Sequence, residues 1–168
     1  STFRQYFSNP KVEQRIVSLV ERFILKHKPS SLEKPKNLLA SKIVRGVSIV
    51  SPEYFTIFTT GGLGYAVKDL AEELSRLGIE VSVFMLRDSS VRIEDIEDTG
   101  IIVNLPGDQK VKIYRTVINN VTIYLLDAGL LTEKVYYFDQ LTQARVLSEG
   151  ALKAIEALTM SGSIRSPD

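Results

Sequence analysis

Residues 44–85 read VRGVSIVSPEYFTIFTTGGLGYAVKDLAEELSRLGIEVSVFM, and the succession of patterns inside this stretch decides the fold. The apolar density of 44–50 suits a buried parallel strand more than an exposed one. A long loop, SPEYFTIFTT, and a glycine cluster, GGLG, come next. Leu63, Val67, Leu70, Ala71, Leu74 and Leu77 then recur at the spacing of one helical face. Gly78 stands where a helix ends in a left-handed residue. Ile79, Val81, Val83 and Met85 alternate as a second strand. Strand, helix and strand at these lengths form a βαβ unit, which is right-handed and pairs its strands in parallel. That is the opening of a doubly wound α/β sheet.

Working outward, residues 11–26 have helical period, with Val12, Ile16, Leu19, Val20 and Phe23 on one face behind Asn9 and Pro10. Pro29, Ser30, Ser31 and Pro35 mark 27–35 as a linker. Residues 1–42 are therefore expected to be a helical extension, and 43–168 the main domain. Downstream, 101–105 is a short apolar run. Residues 111–118 and 121–126 flank Asn119-Asn120, whose side chains suit the positive φ of a tight hairpin turn. Between these elements, Glu94, Asp95, Glu97 and Asp98 in IEDIED are expected to form a solvated turn rather than a catalytic pair. A long helix is predicted over 139–158, with Ala144, Leu147, Ala151, Ile155 and Leu158 inward. Such a helix should cross back to another parallel strand, so the sheet is expected to be unfinished and the natural protein to continue past Asp168.

Composition narrows the function classes. The 168 residues carry a net charge of +1, which gives no electrostatic case for nucleic acid or an anionic membrane. There is no cysteine, so disulfides, thiolate metal sites and thiol nucleophiles are excluded; this fits a cytoplasmic chain. His27 is the one histidine. It reads as a solvated residue near a helix end, and multi-histidine metal sites are excluded. No apolar run approaches the roughly 20 residues that span a bilayer.

The segment that carries chemistry is EYFTIFTTGGLG, Glu53 to Gly64. Glycines at a helix start let a ligand approach the backbone without meeting a Cβ. The free N–H groups and positive dipole end there suit a phosphate, and the hydroxyls of Thr59 and Thr60 add donors. The glycines do not follow G-x-G-x-x-G, and on spacing alone they serve equally well to let the helix pack on the strand. The long loop is expected to make few buried contacts. Thr60 reads either as a helix N-cap or as a ligand contact.

The stretch from Ile49 to Phe84 resembles the opening of bacterial and archaeal glycogen synthases and plant starch synthases. Ser51-Pro52-Glu53 matches the family's Ser-x-Glu. Thr60, Gly61, Gly62 and Leu63 match its Thr-Gly-Gly-Leu, with no gap from Glu53. YLLDAGLL, residues 124–131, resembles the strand and loop before a tyrosine-containing segment, where Tyr136 or Tyr137 takes the tyrosine's place. Arg145 and LSEGALKAIEAL resemble the next helix, and Pro167-Asp168 the start of a Pro-Asp-apolar-apolar-His segment. Two positions depart from the family: Thr59 stands where it usually has Lys, and Tyr65 where many members have Asp.

The resemblance implies the Rossmann-like N-terminal domain of a GT-B glycosyltransferase. It implies transfer of glucose from ADP-glucose or UDP-glucose to the end of an α-1,4-glucan, with retention and without metal or cofactor. Thr59, Thr60, Gly61, Gly62 and Leu63 would face the donor phosphates. Glu53 would bind sugar hydroxyls or order the loop, and Tyr136 and Tyr137 would serve as sugar platforms or as core aromatics. The family's main nucleotide contacts and its acidic residue beside the transferred sugar lie in a second domain. No catalytic residue is therefore expected in this chain, and the chain alone is expected to be inactive. The competing readings are a GT-B enzyme with another acceptor, of the trehalose or sucrose synthase type, and a non-catalytic module that binds a nucleotide or a protein partner.

Overall fold

The computed structural model describes residues 44–136 and 139–167. The expected extension at 1–42, His27, Tyr137 and Asp168 lie outside the described residues.

The predicted βαβ unit is present as β1 (Gly46–Val50), α1 (Gly62–Arg76) and β2 (Glu80–Leu86). It is followed by β3 (Glu97–Leu105), β4 (Gln109–Ile118), β5 (Val121–Asp127), a 3-10 turn (Gly129–Thr132) and α2 (Gln140–Met160). The strands form one five-stranded sheet in the order β1-β2-β5-β4-β3. β1 pairs with β2, and β2 with β5, in parallel, while β4 is antiparallel to both of its neighbours. The expected hairpin is β4–β5. Its two turn residues, Asn119 and Asn120, have φ of 49° and 64°, the left-handed values that a tight hairpin turn demands and that asparagine tolerates.

Both faces of the central strands are covered. Val81, Val83 and Met85 of β2, with Val121, Ile123 and Leu125 of β5, pack in one cluster with Val67 and Ala71 of α1. The alternate residues Phe84, Leu86, Tyr124 and Leu126 pack in another with Val146, Leu147, Ala151, Ala154 and Leu158 of α2. This two-sided burial is why residues 83–86 and 123–126 are apolar at every position.

Four expectations are corrected. β1 is parallel but lies at an edge of the described sheet, and Gly46 is its one buried residue. In α1 only Gly64, Val67 and Ala71 are buried; Leu63, Leu70 and Leu77 are 48%, 53% and 76% exposed. A regular helix rotates about 100° per residue, so residues seven apart drift and the broad apolar arc exceeds what the sheet covers. In α2, Ala144 is exposed and Ile155 only partly buried, while Gln143, Val146, Gly150 and Ala154 are inward. Finally, β3 begins at Glu97 rather than Ile101, so Glu97 and Asp98 belong to a strand, and only Glu94 and Asp95 form the turn. The outer strand hides its pattern because its first residues face solvent. Its register also shifts between Asp98 and Ile102, where Gly100 takes a φ of 71°.

Candidate functional site

The site is built where β1 ends. Ser51 continues the ladder by donating its N–H to the Phe84 carbonyl at 3.0 Å. Its hydroxyl donates to the Glu53 carbonyl at 2.8 Å and accepts the Glu53 N–H at 3.2 Å. This turn carries the Glu53 side chain into the protein, where the residue is only 4% exposed.

The buried carboxylate gathers the loop around itself. Its Oε1 accepts from the Thr60 hydroxyl at 2.6 Å and the Tyr136 phenol at 3.2 Å. Its Oε2 accepts from the Thr59 hydroxyl at 3.0 Å and the Gly64 N–H at 3.3 Å. Burial pushes the Glu53 pKa up, but the hydrogen bonds from Thr60, Thr59 and Tyr136 outweigh it and hold the carboxyl below its ordinary value. Burial, the Glu53 charge and the Glu53 hydrogen bond push the Tyr136 phenol up to about 12, so it stays protonated and remains the donor.

Helix α1 begins with Gly61 as its N-cap, and that residue offers no side-chain cap. Thr60 is therefore not the cap. Glu53 fills that role from outside the helix, taking the Gly64 N–H of the first turn and placing a negative charge at the positive end of the dipole. Of the two roles open to Glu53, the geometry supports ordering of the loop. The four side-chain and backbone groups on its carboxylate all belong to the protein.

The three glycines divide by what surrounds them. A Cβ added to Gly61 or Gly62 would meet nothing within 4 Å. Gly61 has a φ of −165°, extended backbone that any residue adopts. Neither helix packing nor backbone conformation requires glycine at 61, and packing does not require it at 62. Gly64 is the opposite case: its Cβ would lie 2.5 Å from the Thr59 Oγ1 and 3.2 Å from the Phe55 nitrogen. The packing reading thus belongs to Gly64, and Gly61 and Gly62 present bare backbone to open space.

Thr59 points inward. Its hydroxyl proton is shared between Glu53 and the Gly61 carbonyl, the latter at 2.8 Å. Leu63 is half exposed, and Tyr136 is 38% exposed with its ring 5.7 Å from that of Phe58. The expectation that the loop makes few buried contacts is also corrected. Tyr54 is fully buried and Ile57 nearly so, and Tyr54 and Phe58 exchange backbone hydrogen bonds at 3.0 Å. The turn between them places Thr56 at a φ of 89°.

Other residues complete this region, and of them only Tyr65 was singled out in the sequence. Tyr65 stacks on Phe55 with ring centroids 4.0 Å apart and is 50% exposed. Asp88, just after β2, and Gln143, in the first turns of α2, are buried polar residues that hold the backbone beside Tyr136. A glutamine inside the apolar face of a helix is the signal that could have found one of them. Among the described residues, no group of three or more His, Cys, Asp or Glu could hold a metal ion. No helix among them is long and apolar enough to cross a membrane.

Comparisons with known proteins bear on the family and the fold. The family model described as the starch synthase catalytic domain matches residues 46–168. A glycogen synthase of Kosmotoga olearia is 26% identical over 123 residues, covering 70% of this chain and 24% of that protein. A glycogen synthase of a Hydrogenobaculum species is 32% identical over 94 residues, covering 55% of this chain and 20% of that protein. Among solved structures, the catalytic domain of starch synthase IV from Arabidopsis thaliana, bound to ADP and acarbose, superposes with a TM-score of 0.58 at 20% identity. It covers 72% of this chain and 26% of its own, and shows that the two share a fold. The chain thus spans about a quarter or less of the length of these relatives.

Proposed function

This chain belongs to the starch synthase catalytic domain family, and we propose that it supplies the phosphate-facing half of a glucosyltransferase site. The reaction is transfer of glucose from ADP-glucose or UDP-glucose to the end of an α-1,4-glucan, with retention at the anomeric carbon. One observation carries the reading: Gly61 and Gly62 leave the backbone at the α1 N-terminus bare, although nothing in the protein occupies the space a side chain would fill. A diphosphate can approach those N–H groups and the positive dipole end directly. The solved relative bound to ADP and acarbose supports a nucleotide and a glucan as the two ligands.

The roles divide accordingly. Gly61, Gly62 and Leu63 face the donor phosphates, and Thr59, Thr60 and Glu53 fix the loop from beneath. Tyr136 offers its ring to a glucosyl unit. The resemblance implies that the acidic residue and the main nucleotide contacts lie in a second domain, and on this reading residues 44–168 by themselves have no turnover. No metal or cofactor takes part.

Backbone amide NMR of the chain during titration with ADP-glucose, UDP-glucose and maltoheptaose tests this. The donors should shift the amides of residues 61–64 first, and Gly62→Val should abolish those shifts while the remaining spectrum stays folded. Donor shifts centred away from α1, or a Gly62→Val chain that binds as well as the parent, would overturn the reading.

A further inference from the structure

Tyr136 is held in an uncommon conformation by groups that come from distant parts of the chain. Its φ is 66°, the left-handed region that a bulky residue rarely adopts. Residues 134–136 lie outside the strands and helices. Two buried side chains hold them. Asp88, 3% exposed, accepts the Val135 N–H on Oδ2 at 3.0 Å. Its other oxygen accepts the Ser90 N–H at 2.9 Å and the Ser90 hydroxyl. Gln143, also 3% exposed, accepts the Tyr136 N–H on Oε1 at 3.0 Å. Its Nε2 donates to the Lys134 carbonyl at 3.0 Å.

We infer that Asp88 and Gln143 are positioning residues whose task is to hold Tyr136 with its phenol on Glu53 and its ring open to a sugar. The inference rests on the reading of Tyr136 as a sugar contact. Burying an amide and a carboxylate is costly unless each polar atom finds a partner, and apolar side chains would fill the same core more cheaply. What the polar pair adds is a backbone path that no apolar residue can impose. That path turns the chain through the left-handed region and aims Tyr136 at the loop. Tyr136 and Gln143 also line one cavity of about 380 Å³ with Val50, Pro52 and Ala144, so the residue that positions and the residue positioned meet at the same opening.

The test is a double-mutant cycle on the full chain, read by maltoheptaose affinity and by the ¹³Cζ shift of labelled Tyr136. Gln143→Leu should weaken maltoheptaose binding about tenfold when Tyr136 is present, the factor that about 1.4 kcal/mol represents. It should weaken binding less than twofold in a Tyr136→Ala background, because the ring it positions is gone. The Tyr136 Cζ shift should move in Gln143→Leu and in Asp88→Asn, two variants that loosen the segment from different sides. In the parent chain, the amides of Val135 and Tyr136 should exchange slowly with solvent although they lie in a loop. Equal losses in both backgrounds, an unmoved Cζ shift, or exchange of both amides at unstructured rates each overturn the inference. Absence of maltoheptaose binding by the parent chain would refute the sugar reading instead. The Cζ shift and amide exchange then still decide whether the pair holds Tyr136.

Discussion

The glycines of the loop predict opposite responses to one added methyl group. In Gly64→Ala the new Cβ falls 2.5 Å from the Thr59 Oγ1, 2.8 Å from the Thr59 Cβ and 3.2 Å from the Phe55 nitrogen. Phe55 cannot retreat freely, since its N–H is bonded to the Gly64 carbonyl at 3.1 Å. Thr59 must move, and it then gives up its hydrogen bonds to Glu53 and to the Gly61 carbonyl. A hydrogen bond to a buried charge is worth about 1.5–3 kcal/mol, and overpacking a tight site costs about 1–3 kcal/mol. The two overlap, because moving Thr59 relieves the clash. Alanine recovers about 0.5–1 kcal/mol over glycine in a helix. The net expectation is a loss of about 2–3 kcal/mol. Gly62→Ala meets nothing within 4 Å and should leave stability unchanged or raise it by up to about 0.5 kcal/mol. Urea unfolding at neutral pH, followed by far-UV circular dichroism with the slope checked for constancy, measures both. Equal stability of the two variants would refute the division of the glycines into one packed and two bare. In donor binding the order should reverse, with Gly62→Ala the more harmful once each protein is folded.

Three further perturbations test the surroundings. Thr56→Gly removes a β-branched residue from a φ of 89°; relief of that strain should raise the thermal midpoint, by about 1 kcal/mol of stability after the flexibility of glycine in the unfolded chain is subtracted. Thr59→Val keeps the shape but deletes the hydroxyl on Glu53, and should cost about 1–2 kcal/mol in urea unfolding without altering the secondary structure. Glu53 is held below its ordinary pKa, so its contribution is complete above the usual carboxylate range and is lost as pH falls through the depressed value. The stability gap between the parent chain and Glu53→Gln should therefore be widest near pH 7 and close as pH falls below the usual carboxylate range and through the depressed value, where the parent carboxyl also becomes neutral.

The fold was legible wherever burial imposed a period. β2 and β5 lie under both helices, so their inner residues, 83–86 and 123–126, are apolar on both faces. The Asn119-Asn120 turn was equally plain, because positive φ at two successive positions restricts the residue type. Legibility failed where partial burial let several patterns coexist. α1 carries leucines at 63, 70 and 77 that nothing among the described residues buries, and these widened its apparent inner face. The edge strand β3 starts on two acidic residues that cost nothing in solvent, so only its inner half looked like a strand.

The site was legible in position and not in role, and the physical reason is that roles depend on direction. Sequence spacing put Thr59, Thr60, Gly61, Gly62 and Glu53 together, but it could not say which side chains turn inward. The hydroxyls of Thr59 and Thr60 are spent on Glu53, so the donors that seemed free for a phosphate are already bonded. Segment 53–64 contains no basic residue, and the carboxylate beneath it is ionised. A lysine introduced at 59 would meet that carboxylate first. On this geometry the loop offers a phosphate only backbone N–H groups and a helix dipole, together worth far less than two opposed charges. Glu53 therefore sets the architecture of the loop, at an electrostatic cost to any anion above it. On the proposed reading, the cation that balances a donor diphosphate comes from outside 53–64.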